Sequence, residues 1–158
     1  MENQDIRIIN LPAMRVASFY AFSSHPETDA WEKMIAWAKT HGLWQEPPSR
    51  RIFGFNTPNP SAGSPNYGYE FWITIDPSIQ LDKDMTYKDF SGGLYGVLRC
   101  DVSDKTFENI GNSWKTLVKW LESSHYKQGN HQCLEEHLTR FDSTDQGFIL
   151  DLYIPITE

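Results

Sequence analysis

Trp31-Glu32-Lys33-Met34-Ile35-Ala36-Trp37 and Trp114-Lys115-Thr116-Leu117-Val118-Lys119-Trp120 can be laid over each other, each with two tryptophans separated by five residues. Around the first, Ala30, Trp31, Met34, Ile35 and Ala38 recur at helical spacing, and Trp37 widens the stripe. Asp29 with Glu32 fits a capping box, and His41-Gly42 closes the helix. Around the second, Phe107, Ile110, Trp114, Leu117, Val118 and Leu121 share one face, with Ser103 as the expected N-cap.

The flanking segments repeat the same order. Met14 to Phe22 reads as a strand before the first helix, and Pro47-Pro48 marks a loop after it. A short strand at Arg51 to Phe55, a turn-rich loop from Asn56 to Asn66 and a strand at Tyr69 to Ile75 follow. In the second half, a short strand at Met85 to Phe90 and one at Gly92 to Val102 precede the helix. The turn Gln128-Gly129-Asn130 leads to strands at His131 to Leu138 and Phe148 to Ile156. The expectation is one α+β domain over 1–158, a strand–helix–strand–strand unit present twice with pseudo-repeats at about 12–78 and 84–158. The two units are expected to join their strands into a curved antiparallel sheet, with both helices on one side. The other side would be a concave aromatic surface between the halves, where ligands settle by default.

Composition narrows the function classes. Across 158 residues there are 14 Lys+Arg against 21 Asp+Glu, a net charge of −7, which disfavours a nucleic-acid binder. Aromatic residues make up 14% of the chain, so acid and ring together need explaining. No stretch approaches the roughly 20 apolar residues of a membrane span. The acidic start Met1-Glu2-Asn3-Gln4-Asp5 is unlike a signal peptide, and Cys100 and Cys133 read as two reduced thiols, so a cytoplasmic location is expected.

Four stretches carry a resemblance: Gly92-Gly93-Leu94-Tyr95, then Trp114 to Leu121, then Cys133-Leu134-Glu135-Glu136-His137, and Asp151-Leu152-Tyr153-Ile154-Pro155-Ile156. In this order they resemble the GyrI-like small-molecule-binding domain, also called the AraC-type effector-binding or SOUL-related domain. The family pattern of an apolar residue, Glu, any residue and Tyr falls on Leu134 to His137, with His137 departing from Tyr. The resemblance implies a pocket in which an acid and several rings hold cationic, lipophilic molecules, as in multidrug recognition and transcription regulation. Members that regulate transcription usually carry a helix-turn-helix as well. Strands expected from the opening residues to the end of the chain leave no room for one. A stand-alone sensor, a sequestering protein or part of a partner-supplied regulator is therefore expected, with a homodimer or a separate regulatory partner as the protein partners to look for.

Strand alternation nominates the site residues. In the last strand Leu150, Leu152, Ile154 and Ile156 form the face toward the helices, which turns Asp151 and Tyr153 to the pocket. Taking Leu134 and Leu138 as helix-facing turns Glu135 and His137 to the pocket. Ile73 and Ile75 in the core turn Glu70 and Trp72 outward, and Tyr95 and Tyr20 complete the ligand-binding candidates, with Glu135 at the centre. Asp151 and Glu70 have a second reading, as ion-pair partners of Arg99 or Arg51. A carboxylate among rings takes up a proton or waits for a cation, and ring faces attract cations with little regard for shape.

Other chemistries are weaker in the sequence. His131, Cys133, Glu135 and His137 alternate on one expected strand, but neighbours on a face lie about 6.5–7 Å apart, so no metal and no cofactor are expected. There is no Gly-rich phosphate loop and no Gly-x-Ser-x-Gly elbow. The resemblance implies two alternatives: a small-molecule hydrolase using Glu135 as general acid or base, assisted by His137 or Tyr153, and a protein-binding inhibitor of the gyrase-inhibitor type.

Overall fold

The computed structural model describes residues 5–44, 50–79, 82–83, 85–102, 108–139 and 147–158. The loop expected at Pro47-Pro48, the cap Ser103 and the helical residue Phe107 lie outside the described residues. The strands are β1 (Arg7–Leu11), β2 (Met14–Ser23), β3 (Ile52–Asn56), β4 (Tyr67–Thr74), β5 (Thr86–Phe90), β6 (Gly93–Val102), β7 (Lys127–Gln128), β8 (Leu134–His137) and β9 (Phe148–Thr157). The helices are α1 (Pro26–Thr40) and α2 (Glu108–Ser123). The fold is α+β with antiparallel strands, as the repeated order implies.

The chain divides into two compact units, Met14–Phe90 and Met1–Ala13 with Ser91–Glu158, hereafter the N unit and the C unit. In the N unit the strands lie in the order β3-β4-β2-β5, and in the C unit β8-β9-β6-β1, with β7 also pairing β9. The orders correspond strand for strand. One outer strand of each unit comes from across the sequence repeat: β5 follows the first repeat but pairs with β2, and β1 precedes β2 yet pairs with β6. β1 is an element the sequence reading lacked. Gly92 lies where the chain enters β6, at φ +79, and a Cβ there would run into the Leu11 carbonyl. A side chain there would meet both the strained φ and that backbone.

Each helix covers one face of its sheet. In the N unit Trp31, Met34 and Ala38 are buried, and Trp31 meets Phe71 edge-on with centroids 5.2 Å apart. In the C unit Leu117 and Leu121 pack into a core with Leu98, Cys100, Leu150, Leu152, Ile154 and Ile156. Gly96 allows the Trp120 ring to lie on β6, because a Cβ there would stand 2.7 Å from that ring. The apolar face expected for β9 is therefore the helix-covered one.

Local corrections concern caps and edges. α1 begins at Pro26, a residue suited to a first helical turn, with His25 before it. Asp29 is thus not the cap but a first-turn acid, accepting a 2.6 Å bond from Ser23 Oγ. The helix ends as expected, with Gly42 at φ +68 and Leu43 N–H donating to the Ala38 carbonyl at 2.8 Å. The strand expected from His131 starts only at Leu134. The preceding segment leaves the ladder, where the Gln132 carbonyl accepts from the Tyr95 hydroxyl at 3.0 Å.

Candidate ligand-binding site

In an antiparallel ladder, directly opposite residues share a face. In the N unit, β4 is central and Glu70 and Trp72 lie opposite Tyr20 and Ser18 of β2 and opposite Phe55 and Phe53 of β3. Phe71, between them, faces Trp31 of α1. Glu70, Trp72 and Tyr20 are therefore on the face away from the helix, as the alternation of β4 implied. Trp72 meets Phe55 edge-on at 5.1 Å and Phe90 at 5.6 Å.

Glu70 is buried, and three donors converge on its Oε2: Ser18 Oγ at 2.7 Å, Trp72 Nε1 at 2.6 Å and Lys88 Nζ at 2.6 Å. Its cationic partner is thus Lys88 from β5, not Arg51, which lies over the Phe53 ring. Beside Glu70 a cleft of about 810 Å³ is lined by Tyr20, Phe19, Trp37, Thr86 and Lys88, among others. It lies beside the end of the β2–β5 pairing at Ser18 and Thr86, past which β2 runs on paired with β4, and its size suits a small organic molecule.

In the C unit the corresponding pair on β9 is Asp151 and Tyr153, opposite Arg99 and Val97 of β6. Asp151 is buried and held by Arg99 Nε at 2.9 Å, Arg99 Nη2 at 3.3 Å and Arg7 Nη2 at 2.8 Å. Burial alone would raise its carboxyl, but the bonds from Arg99 and Arg7 prevail and hold it below the ordinary value. Of the two readings open for Asp151, the ion pair with Arg99 is the one realised. Tyr153 meets Tyr95 edge-on at 5.6 Å and donates its hydroxyl to Glu136 Oε1 at 2.6 Å. Burial raises the Tyr95 hydroxyl first of all, with the Cys133 side chain adding to it.

That last contact corrects the placement of Glu135. β8 pairs Leu134 with Tyr153, Glu135 with Leu152, Glu136 with Asp151 and His137 with Leu150. Glu136 therefore shares the face of Asp151 and Tyr153, whereas Glu135 and His137 share the helix-covered face. Glu135 Oε2 accepts a 3.3 Å bond from Trp114 Nε1 of α2. The parity failed because β8 is buried on both faces: Leu134, Glu136 and His137 are all enclosed. An apolar residue then says nothing about which side the helix is on. His137, fully enclosed, has its imidazole pushed down to about 3 by burial and is neutral at ordinary pH. The hydrolytic trio of Glu135, His137 and Tyr153 is divided between two faces of the sheet.

The sequence reading missed Lys88, Ser18, Phe55, Phe90 and Glu136. Lys88 and Phe90 alternate with Thr86 on a short strand, which was a usable signal. Glu136 was hidden by its neighbour, since tandem acids offer no alternation.

The Cass2 family profile, described as integron-associated effector binding protein, matches residues 7–156, and the chain belongs to that family. No curated protein matches it. Among solved structures it is similar to the EcmrR C-terminal domain, with 13% identity over 98% of both chains and a TM-score of 0.67. It is also similar to SAV2435 bound to tetraphenylphosphonium, with 11% identity over 97% of this chain and 94% of that one and a TM-score of 0.64. A hydrolase from Listeria innocua has 9% identity over 99% and 94% and a TM-score of 0.65. The TM-scores, at identities this low, establish the shared fold, the GyrI-like effector-binding fold of the sequence resemblance. No described helix is long and apolar enough to cross a membrane.

Proposed function

We propose that the chain binds amphipathic aromatic cations in the N-unit cleft beside Glu70, between Tyr20 and the rings of Phe19 and Trp37, as a sensor or sequestering protein. The observation that carries this reading is Glu70, a buried carboxylate edged by Trp72 and opening to a cleft of about 810 Å³ with ring walls. A carboxylate removed from water favours a positive partner, and rings within about 6 Å of a cation add about 0.5–2 kcal/mol. Tyr20 stands opposite Glu70 on the same face. In the C unit Tyr95 and Tyr153 are fully buried, and Glu136, which accepts from the Tyr153 hydroxyl, stands on the face expected for Glu135. Asp151 is already paired with two arginines and is not offered as a charge-reading residue. That the related SAV2435 was solved with tetraphenylphosphonium suits the same chemistry.

The test is a fluorescence titration with tetraphenylphosphonium and its neutral relative triphenylphosphine oxide. Glu70→Gln is expected to weaken the cation by about 30-fold, near 2 kcal/mol, and to leave the neutral compound unchanged. Equal cation affinity in wild type and variant would overturn Glu70 as the charge-reading residue.

A further inference from the structure

Lys88 lies on β5, whose residues Thr86 to Asp89 are exposed, and its ammonium reaches 2.6 Å from Glu70 Oε2. The lysine side chain is 44% exposed and the carboxylate 8%. The acid is thus fixed in the wall, by Ser18 and Trp72, while the cation arrives on a flexible stem from outside. Among the described residues Glu70 is the sole hydrogen-bond or ion-pair partner of that ammonium. All three donors also use the same oxygen, and Glu70 Oε1 takes no hydrogen bond among the described residues. Both residues line the cleft beside Tyr20, Phe19 and Trp37; Asp82 also lines it, as does Lys33, whose ammonium donates to the Tyr20 carbonyl at 2.9 Å rather than to Glu70.

We propose that Lys88 is a tethered cation occupying the charge position at Glu70, and that a ligand binds there by exchanging with it. This rests on the cation-binding reading above and adds to it a residue that determines specificity. Exchange replaces one positive charge on Glu70 by another, so the charge term nearly cancels. What remains in a ligand's favour is the contact it makes with the cleft rings, which the lysine stem does not reproduce. Small hydrated cations gain nothing by displacing Lys88, whereas aromatic cations gain ring contact and expel water from apolar walls. The lysine thereby converts a site attractive to any cation into one selective for lipophilic cations. A lysine suits this use because it is a single point charge on a mobile stem, without the paired grip of a guanidinium.

The experiment compares wild type, Lys88→Met and Lys88→Arg in titrations with tetraphenylphosphonium and tetramethylammonium, with Glu70→Gln/Lys88→Met as control. Met keeps the length of the stem and removes the charge. Lys88→Met is expected to bind tetraphenylphosphonium about tenfold tighter and to gain measurable affinity for tetramethylammonium. Its binding should also weaken more steeply with added salt, because no internal cation is released. Lys88→Arg should bind more weakly than wild type, and the double variant should lose both gains. Melting of the ligand-free Lys88→Met protein below wild type would accompany, not replace, these changes. If wild type binds tetraphenylphosphonium through Glu70 and Lys88→Met binds equally or more weakly, Lys88 is a structural partner and the proposal falls alone. If neither protein binds any cation, the cation-binding reading falls and the proposal with it. Binding by Lys88→Met where wild type shows none would support both.

Discussion

Glu70 of the N unit and Asp151 of the C unit occupy the same place in two copies of one fold, and their surroundings differ. Each is on the last strand of its sequence repeat, β4 or β9, two residues before an aromatic ring, Trp72 or Tyr153. Each also takes a cation from the strand borrowed across the repeat, Lys88 of β5 or Arg7 of β1. The residue opposite on the preceding central strand decides the outcome. Opposite Asp151 it is Arg99, which adds two bonds in fork geometry; opposite Glu70 it is Tyr20, which adds a ring. One acid is closed off by two guanidiniums, and the other keeps a single exchangeable ammonium beside a cleft. Position in the fold makes an acid buried; its neighbours decide whether it can still receive a ligand.

The comparison can be broken first at the helices. Trp31 and Trp114 correspond in sequence, but Trp31 is buried against Phe71 while Trp114 is only partly buried beside the C-unit core. Trp31→Ala is expected to cost about 3–5 kcal/mol in denaturant unfolding and Trp114→Ala about 1–2 kcal/mol. Equal losses would mean that the two helices are equivalent in packing as well as in sequence.

Asp151→Asn comes next, at about 1–3 kcal/mol, because it weakens three charge-assisted bonds while both arginines retain access to water. The pH dependence has a definite sign. The folded carboxyl is held below its unfolded value of about 3.9, so its contribution is complete above that value. It is lost as pH falls through the lower folded value. Wild type should therefore lose stability on acidification below about pH 4 more steeply than Asp151→Asn, measured by thermal melts across pH 2–6. Parallel acid limbs would remove Asp151 as the source.

The α+β class, the duplication and most elements were legible because they rest on periodicity and on rare residues. The stripe Trp31, Met34, Ala38 and the alternation of Leu150, Leu152, Ile154 and Ile156 each report a single buried face. Glu70, Trp72, Asp151 and Tyr153 were placed on their faces for the same reason. β1 was not legible, since Arg7 to Leu11 has neither clean alternation nor a turn signal tying it to β6. Glu135 was misplaced because β8 is buried on both sides, where polarity no longer reports direction. Lys88 was not legible as a partner of Glu70, because its pairing depends on β5 crossing to β2, a register that local sequence does not encode.

The smallest expected effect separates geometry from burial. Arg15 and Asp89 face each other across β2 and β5, with Nε to Oδ1 at 2.8 Å and Nη2 to Oδ2 at 3.2 Å. Arg99 grips Asp151 through the same atoms at 2.9 and 3.3 Å. The difference is water: the Asp89 side chain is 65% exposed and that of Asp151 5%. Arg15 holds the Asp89 carboxyl below its ordinary value by hydrogen bonding, yet solvent and salt screen an exposed pair of this kind. Asp89→Asn should leave the melting temperature within experimental error of wild type at 0.15 M salt, while Asp151→Asn lowers it under the same conditions. A matching drop in both would mean that the fork itself, rather than its enclosure, supplies the stability. That result would undo the distinction between the two buried acids as well, since Asp151 is set apart from Glu70 by two arginines gripping a carboxylate that is itself enclosed.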